Sequence, residues 1–194
     1  MFEKAPLVIA IALVVTTAGC LGVVDSSGSP SAETTTTDRI TDCTGDLERL
    51  DIGITTDFLP QQDANFTIEA NRTTLTRGDS LEITLRNVDD ESHGTGTERM
   101  FVLQRYVDGE WQTVLGAQEG RTGWNATLVT HEPGSGYTWT VRLTDNGFSE
   151  WGYEPCTSMP PGEYRFVYHG LVESGTYDGE IPDPSVAVEF RIVP

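Results

Sequence analysis

The sequence predicts an all-β protein, an antiparallel sandwich of about 7–9 strands, and three observations carry that expectation. Across residues 43–194, apolar and polar side chains alternate with period 2, which turns one face of an extended chain toward a core. Glycine and proline recur between the alternating runs, where the chain must reverse. Few stretches of that region carry the 3.6-residue period of an amphipathic helix.

The elements follow in order. Ile52 to Ile54 and Phe66 to Ile68 are short apolar runs that read as the first strands. Leu81, Ile83 and Leu85 alternate with Glu82, Thr84 and Arg86 after a turn at Arg77-Gly78-Asp79. Residues 100–106 and 111–115 flank Val107-Asp108-Gly109-Glu110, and Asp-Gly between two strand-like runs signals a hairpin because both turn residues need positive φ. Tyr137, Trp139, Val141 and Leu143 share one face after Pro133-Gly134, and Tyr164, Phe166 and Tyr168 do so after Pro160-Pro161-Gly162. Val186, Val188, Phe190 and Ile192 form the last strand. Trp139, in phase with its neighbours, is a core residue, and Trp111 caps the sandwich after the Asp-Gly turn. Trp151-Gly152-Tyr153 lies in the long, less periodic segment 144–159. There Trp151 and Tyr153 are the candidate binding surface, an exposed platform for a sugar ring or a protein partner; packing of the insertion onto the domain is the alternative.

The N-terminus has a different character. A polar head ending at Lys4 precedes an apolar run over residues 5–18, and Gly19-Cys20 follows. These are the parts of a secretory signal peptide, residues 1–19. Thr17-Ala18-Gly19-Cys20 resembles the lipobox of prokaryotic lipoproteins, although Thr17 departs from its usual aliphatic residue. The resemblance implies that Cys20 is lipidated and becomes the first residue of the mature chain. Residues 5–24 are 20 uncharged residues, enough for an uncleaved anchor as the rival reading. Either way the remainder faces the cell exterior, tethered to the cell membrane. Residues 20–42, rich in Ser, Thr and Asp, bury too little apolar surface to offset their ordering entropy and are expected to be a disordered linker. If Cys20 carries lipid, Cys43 and Cys156 remain as a disulfide pair in an oxidising compartment; neither has a neighbouring Cys or His to complete a metal site.

With 30 acidic and 12 basic residues the net charge is −18, which excludes nucleic acid as a partner recognised through a basic patch. Arginine supplies 11 of the 12 basic residues. This acidic, lysine-poor composition resembles that of proteins from salt-loving archaea. His93, His131 and His169 are scattered, with no HExxH, no Cys-His pairing and no nucleophile elbow, so no catalytic residues are assigned. Gly94-Thr95-Gly96 lacks the following helix a phosphate loop needs, and no cofactor is expected. Asp89-Asp90-Glu91 and Asp178-Gly179-Glu180 with Asp183 read as solvated turns, not a metal site. Asn65, Asn71 and Asn125 head N-x-T sequons and are candidate N-glycosylation sites.

Three stretches carry a family resemblance. Residues 77–87, Arg-Gly-Asp-Ser-Leu-Glu-Ile-Thr-Leu-Arg-Asn, are similar to the second strand of prokaryotic immunoglobulin-like domains. Residues 103–111, with Val107-Asp108-Gly109-Glu110-Trp111, are similar to a hairpin of one bacterial immunoglobulin-like family, and Pro161-Gly162-Glu163-Tyr164-Arg165 to the approach to its penultimate strand. Over roughly residues 65–194 the resemblance implies an immunoglobulin-like sandwich with Tyr164 as its tyrosine corner. Phe166 occupies the place of the second cysteine of an antibody-type domain, so the intersheet disulfide of that type is absent. The expected function is a non-enzymatic, lipid-anchored cell-surface protein for adhesion, binding or envelope structure, with an extracellular protein or glycan as partner. The alternative is a carbohydrate- or solute-binding accessory subunit of a membrane complex.

Overall fold

The computed structural model describes residues 43, 45–124, 127–172 and 184–194. The expected signal peptide (residues 1–19), Cys20, the expected linker (residues 20–42), Asn125 and the 178–183 carboxylates lie outside them. Among the described residues no helix is long and apolar enough to cross a membrane.

Fourteen strands form among the described residues. In chain order they begin with β1 (Leu47–Arg49), β2 (Gln62–Asp63), β3 (Phe66–Ala70), β4 (Thr74–Thr76), β5 (Ser80–Asn87), β6 (His93–Thr95) and β7 (Phe101–Val107). They continue with β8 (Glu110–Thr113), β9 (Leu115–Gln118), β10 (Val129–His131), β11 (Gly136–Arg142), β12 (Glu154–Pro155), β13 (Gly162–Tyr168) and β14 (Val186–Val193). The two largest sheets run β11-β5-β3-β2 and β4-β14-β13-β7-β8, and β10 pairs with β6 in a small two-stranded one. The period-2 pattern does its expected work on β5, where Leu81, Ile83 and Leu85 are buried while Ser80, Glu82 and Arg86 face outward. Trp139 of β11 reaches across to Phe166 and Tyr168 of β13, with ring centroids 5.0 and 5.5 Å apart, so the two sheets share one core. Between β3 and β4 the chain changes sheets, and β4 then pairs parallel to β14, Thr74 opposite Arg191.

The Asp-Gly hairpin joins β7 to β8 with φ of 53° at Asp108 and 89° at Gly109, both in the left-handed region the turn requires. A second two-residue hairpin joins β2 to β3 through Ala64 and Asn65, φ 42° and 69°. Its sequence lacks glycine; the Asp63 carboxylate instead accepts the Ala64 N–H at 2.8 Å and holds the turn. The tyrosine corner is formed: Tyr164 Oη donates to Pro160 O at 2.6 Å. Tyr164→Phe should lower stability by about 1 kcal/mol, read as a reduced denaturant midpoint at unchanged slope.

Ile52 to Ile54 does not form the expected strand. Residues 50–60 are instead a strap across the outer face of the second sheet, and their carbonyls are taken by side chains. Gln104 Nε2 donates to Ile54 O at 2.9 Å, Arg165 Nη1 to Thr56 O at 2.9 Å and Trp111 Nε1 to Asp57 O at 3.3 Å. Ala187 N closes the strap on Pro60 O at 2.9 Å. Leu50 and Ile54 are buried against the sheet, and the strap explains why β13 is buried on both faces, Arg165 and Val167 included.

The strap enters through a third sheet, β1-β9-β12. Cys43 and Cys156, flanking its outer strands, are disulfide-bonded across a sequence separation of 113. The middle strand carries Gly116 beneath the bridge, where a Cβ would meet Glu48 O at 2.9 Å and Cys43 Sγ at 3.0 Å.

Candidate functional site

The insertion does not present its aromatic side chains. Trp151 is 7% exposed and Tyr153 1%, so the platform expected of them is corrected to a packed contact. The physical reason is the edge of the sandwich beside them. Phe101 of β7 offers its ring to both, with centroids at 5.4 Å from Trp151 and 5.3 Å from Tyr153 in edge-to-face geometry. Burying two large aromatic rings there stabilises the insertion more than exposing them would. A single 3-10 turn, Ser149–Trp151, delivers Trp151 inward, and Gly152 at φ 77° ends it.

This docking builds a different feature. Arg99 O accepts from Tyr153 Oη at 2.5 Å and from Trp124 Nε1 at 2.9 Å, while Trp124 Nε1 also lies 2.8 Å from Tyr153 Oη. Three distant stretches are thereby tied together: the loop before β7, the loop after β9 and the insertion. Between them opens a cleft of about 440 Å³, lined by Arg99, Arg121, Ser149, Glu150, Trp151 and Gly152. The Arg99 guanidinium lies 5.6 Å from the Tyr153 ring centroid. A Cβ on Gly152 would meet its Nη2 at 3.5 Å. Among the described residues neither Arg99 nor Arg121 has a carboxylate partner. By contrast Arg77 pairs with Asp145 at 2.9 Å, and Arg191 pairs with Glu163. Arg99 and Arg121 carry no periodicity or motif that marks them in the sequence.

A second cavity, about 200 Å³, lies under the strap between Asp51, Ile54, Gln104, Trp111 and Thr113. Beside it Arg165 is fully buried, its guanidinium 4.4 Å from the Trp111 ring centroid and its Nε donating to Gln104 Oε1 at 2.7 Å. Burial lowers its pKa to about 10, partly opposed by Glu189 and Asp57.

The histidines take separate places. His93 Nε2 lies 2.7 Å from Asp89 Oδ2, a hydrogen bond that draws the Asp89 carboxyl below its usual range. His131 Nε2 meets Thr95 Oγ1 at 2.8 Å, and burial lowers its pKa. His169 stands edge-on to Trp124, ring centroids 4.7 Å apart, and burial pushes it down to about 4. Among the described residues no histidine bonds a serine hydroxyl, and no three His, Cys, Asp or Glu side chains are grouped to hold a metal ion. Asn65 is exposed at the β2–β3 turn; Asn71 is exposed after β3, its Oδ1 accepting Glu82 N at 3.2 Å.

Two facing sheets, a strand that switches between them with a parallel pairing, and a tyrosine corner define an immunoglobulin-like β-sandwich. A family model described as a bacterial Ig-like domain matches residues 62–180, and the chain belongs to that family. Among solved structures it is similar to β-glucosidase from Listeria innocua in complex with gluconolactone, at 17% identity and a TM-score of 0.30. A mutant of that enzyme with laminaribiose gives 15% identity and a TM-score of 0.30. Each likeness covers 66% of this chain and 16% of the enzyme. No curated protein matches the sequence.

Proposed function

We propose that this protein is a non-enzymatic, lipid-anchored cell-surface protein whose sandwich serves adhesion, binding or envelope structure. Family membership supports a binding-type role at a surface. The observation that carries the finer reading is the Cys43–Cys156 bond. It fits an oxidising, extracytoplasmic compartment, and it leaves Cys20 as the single remaining thiol, within a lipobox-like sequence. Residues 1–19 would be removed, residues 20–42 would act as the spacer, and the sandwich domain would span residues 43–194. The exposed Asn65 and Asn71, with Asn125, are the proposed glycan acceptors. An acidic, lysine-free mature chain suits a high-salt exterior.

Cys20→Ser tests the anchor. The expected result is loss of lipid mass and release from the membrane fraction, or accumulation of unprocessed precursor. A variant that stays membrane-bound and processed like the parent overturns it. A second reading, a carbohydrate- or solute-binding subunit serving a membrane complex, is favoured by the Arg99–Arg121 cleft.

A further inference from the structure

We propose that the cleft between Arg99, Arg121 and the Ser149–Trp151 turn binds a sugar acid, gripping its carboxylate with the two guanidinia. The proposal rests on the binding reading above and names the ligand class for that site.

Charge is the first argument. In a chain of net charge −18, Arg72, Arg77 and Arg191 each have a carboxylate partner, while the exposed Arg86 and Arg142 of the sheet face stand singly without one among the described residues. Arg99 and Arg121 share one cleft and have none among the described residues. Planar guanidinia recognise carboxylates through paired N–H donors, a geometry that suits a single carboxylate held between two arginines.

Preorganisation is the second. The Arg99 backbone is held through its carbonyl by Trp124 and Tyr153, and its guanidinium rests over the Tyr153 ring beside Gly152. These contacts fix the Arg99 backbone, which reduces the conformational entropy lost on binding.

The remaining lining selects the rest of the ligand. Ser149 Oγ donates to Asn146 O at 2.9 Å, which leaves its lone pairs to accept from a hydroxyl. Glu150 likewise accepts hydroxyl protons and repels a second anionic group. Together with the overall negative field, it disfavours polysulfated or polyphosphorylated ligands. A volume of about 440 Å³ suits one or two sugar rings, at the small end of ligand pockets. Trp151 is buried, so polar contacts dominate over ring stacking.

The test titrates the full-length chain in detergent with galacturonic acid disaccharide, the matching neutral galactose disaccharide and inorganic phosphate, followed by calorimetry and tryptophan fluorescence. The acidic disaccharide should bind at least about tenfold more tightly than the neutral one, the scale of a charge-assisted bidentate contact. Arg121→Ala and Arg99→Ala should each weaken it about tenfold or more, with an unchanged near-ultraviolet circular dichroism spectrum. Arg121 lies on an exposed loop, so its variant remains informative if Arg99→Ala misfolds. Equal binding of acidic and neutral sugars, displacement by equimolar phosphate, insensitivity to Arg121→Ala, or no binding of the acid overturns the proposal. Each of these leaves the Cys20→Ser outcome, and with it the surface-protein reading, unaffected.

Discussion

Phe101→Ala is expected to destabilise the protein by about 3–5 kcal/mol, a thermal midpoint lower by roughly 6–20 °C. The size of the effect follows from position. Phe101 is fully buried at the start of β7, stacked on Phe166 at 4.6 Å and edge-on to Trp139 at 6.1 Å, inside the sandwich. Its ring also receives Trp151 and Tyr153 from the insertion. Truncation therefore empties a volume bounded by both sheets and the insertion, and interiors this tightly interlocked collapse poorly into such a space. Two measurements separate the contributions. Denaturant unfolding gives the global loss, and hydrogen exchange over residues 147–155 reports whether the insertion loosens first. A loss under about 1.5 kcal/mol would show that the ring is not the junction described, since that is below the cost of truncating most buried phenylalanines.

Phe101 also marks how far the sequence could be read. The alternation of β5, β11, β13 and β14 identified their inward faces, because each of those strands follows a turn signal and lines one core. Trp139 was legible for that reason, and the Asp108-Gly109 hairpin because two adjacent positive φ values need such residues. Periodicity says nothing about what covers a strand's second face. On β13, Arg165 and Val167 occupy positions that read as outward, and they are buried because the strap lies over them. Ile52 and Ile54 have the composition of a strand, yet Ile54, Thr56 and Asp57 give their carbonyls to side chains more than 45 residues away. The Ala64-Asn65 turn escaped notice for want of a glycine. Trp151 and Tyr153 are ambiguous in the sequence for a related reason: an aperiodic segment gives no phase, so the platform and packed readings stay open until a partner such as Phe101 is known. The cleft arginines come from separate loops, and the Trp124–Tyr153–Arg99 hydrogen bonds that tie those loops together have no signal in the sequence.

Removal of the disulfide by the paired substitutions Cys43→Ser and Cys156→Ser is expected to cost about 4–5 kcal/mol, because the bridge closes a loop of more than 100 residues in the unfolded chain. The midpoint should fall by roughly 8–20 °C. The loss should also have a place. The bridge ties the entrance of the strap to the insertion across β9, and without it β1 keeps a three-residue pairing with β9. Opening there would propagate to Leu50, whose N–H bonds Leu115 O, and then to the carbonyls that accept from Gln104, Trp111 and Arg165. Arg165 is the sensitive point. A buried guanidinium that loses the Thr56 carbonyl must find water, so strap release and hydration of the sheet face are coupled. Fast hydrogen exchange at residues 47–57 and a shift in Trp111 emission, below the temperature of global unfolding, are therefore the expected signature of the reduced state. If the strap amides stay as protected as in the oxidised protein while only the global midpoint falls, the bridge acts on the unfolded chain alone. In that case the four side-chain and backbone bonds to Ile54, Thr56, Asp57 and Pro60 are sufficient to hold the strap by themselves.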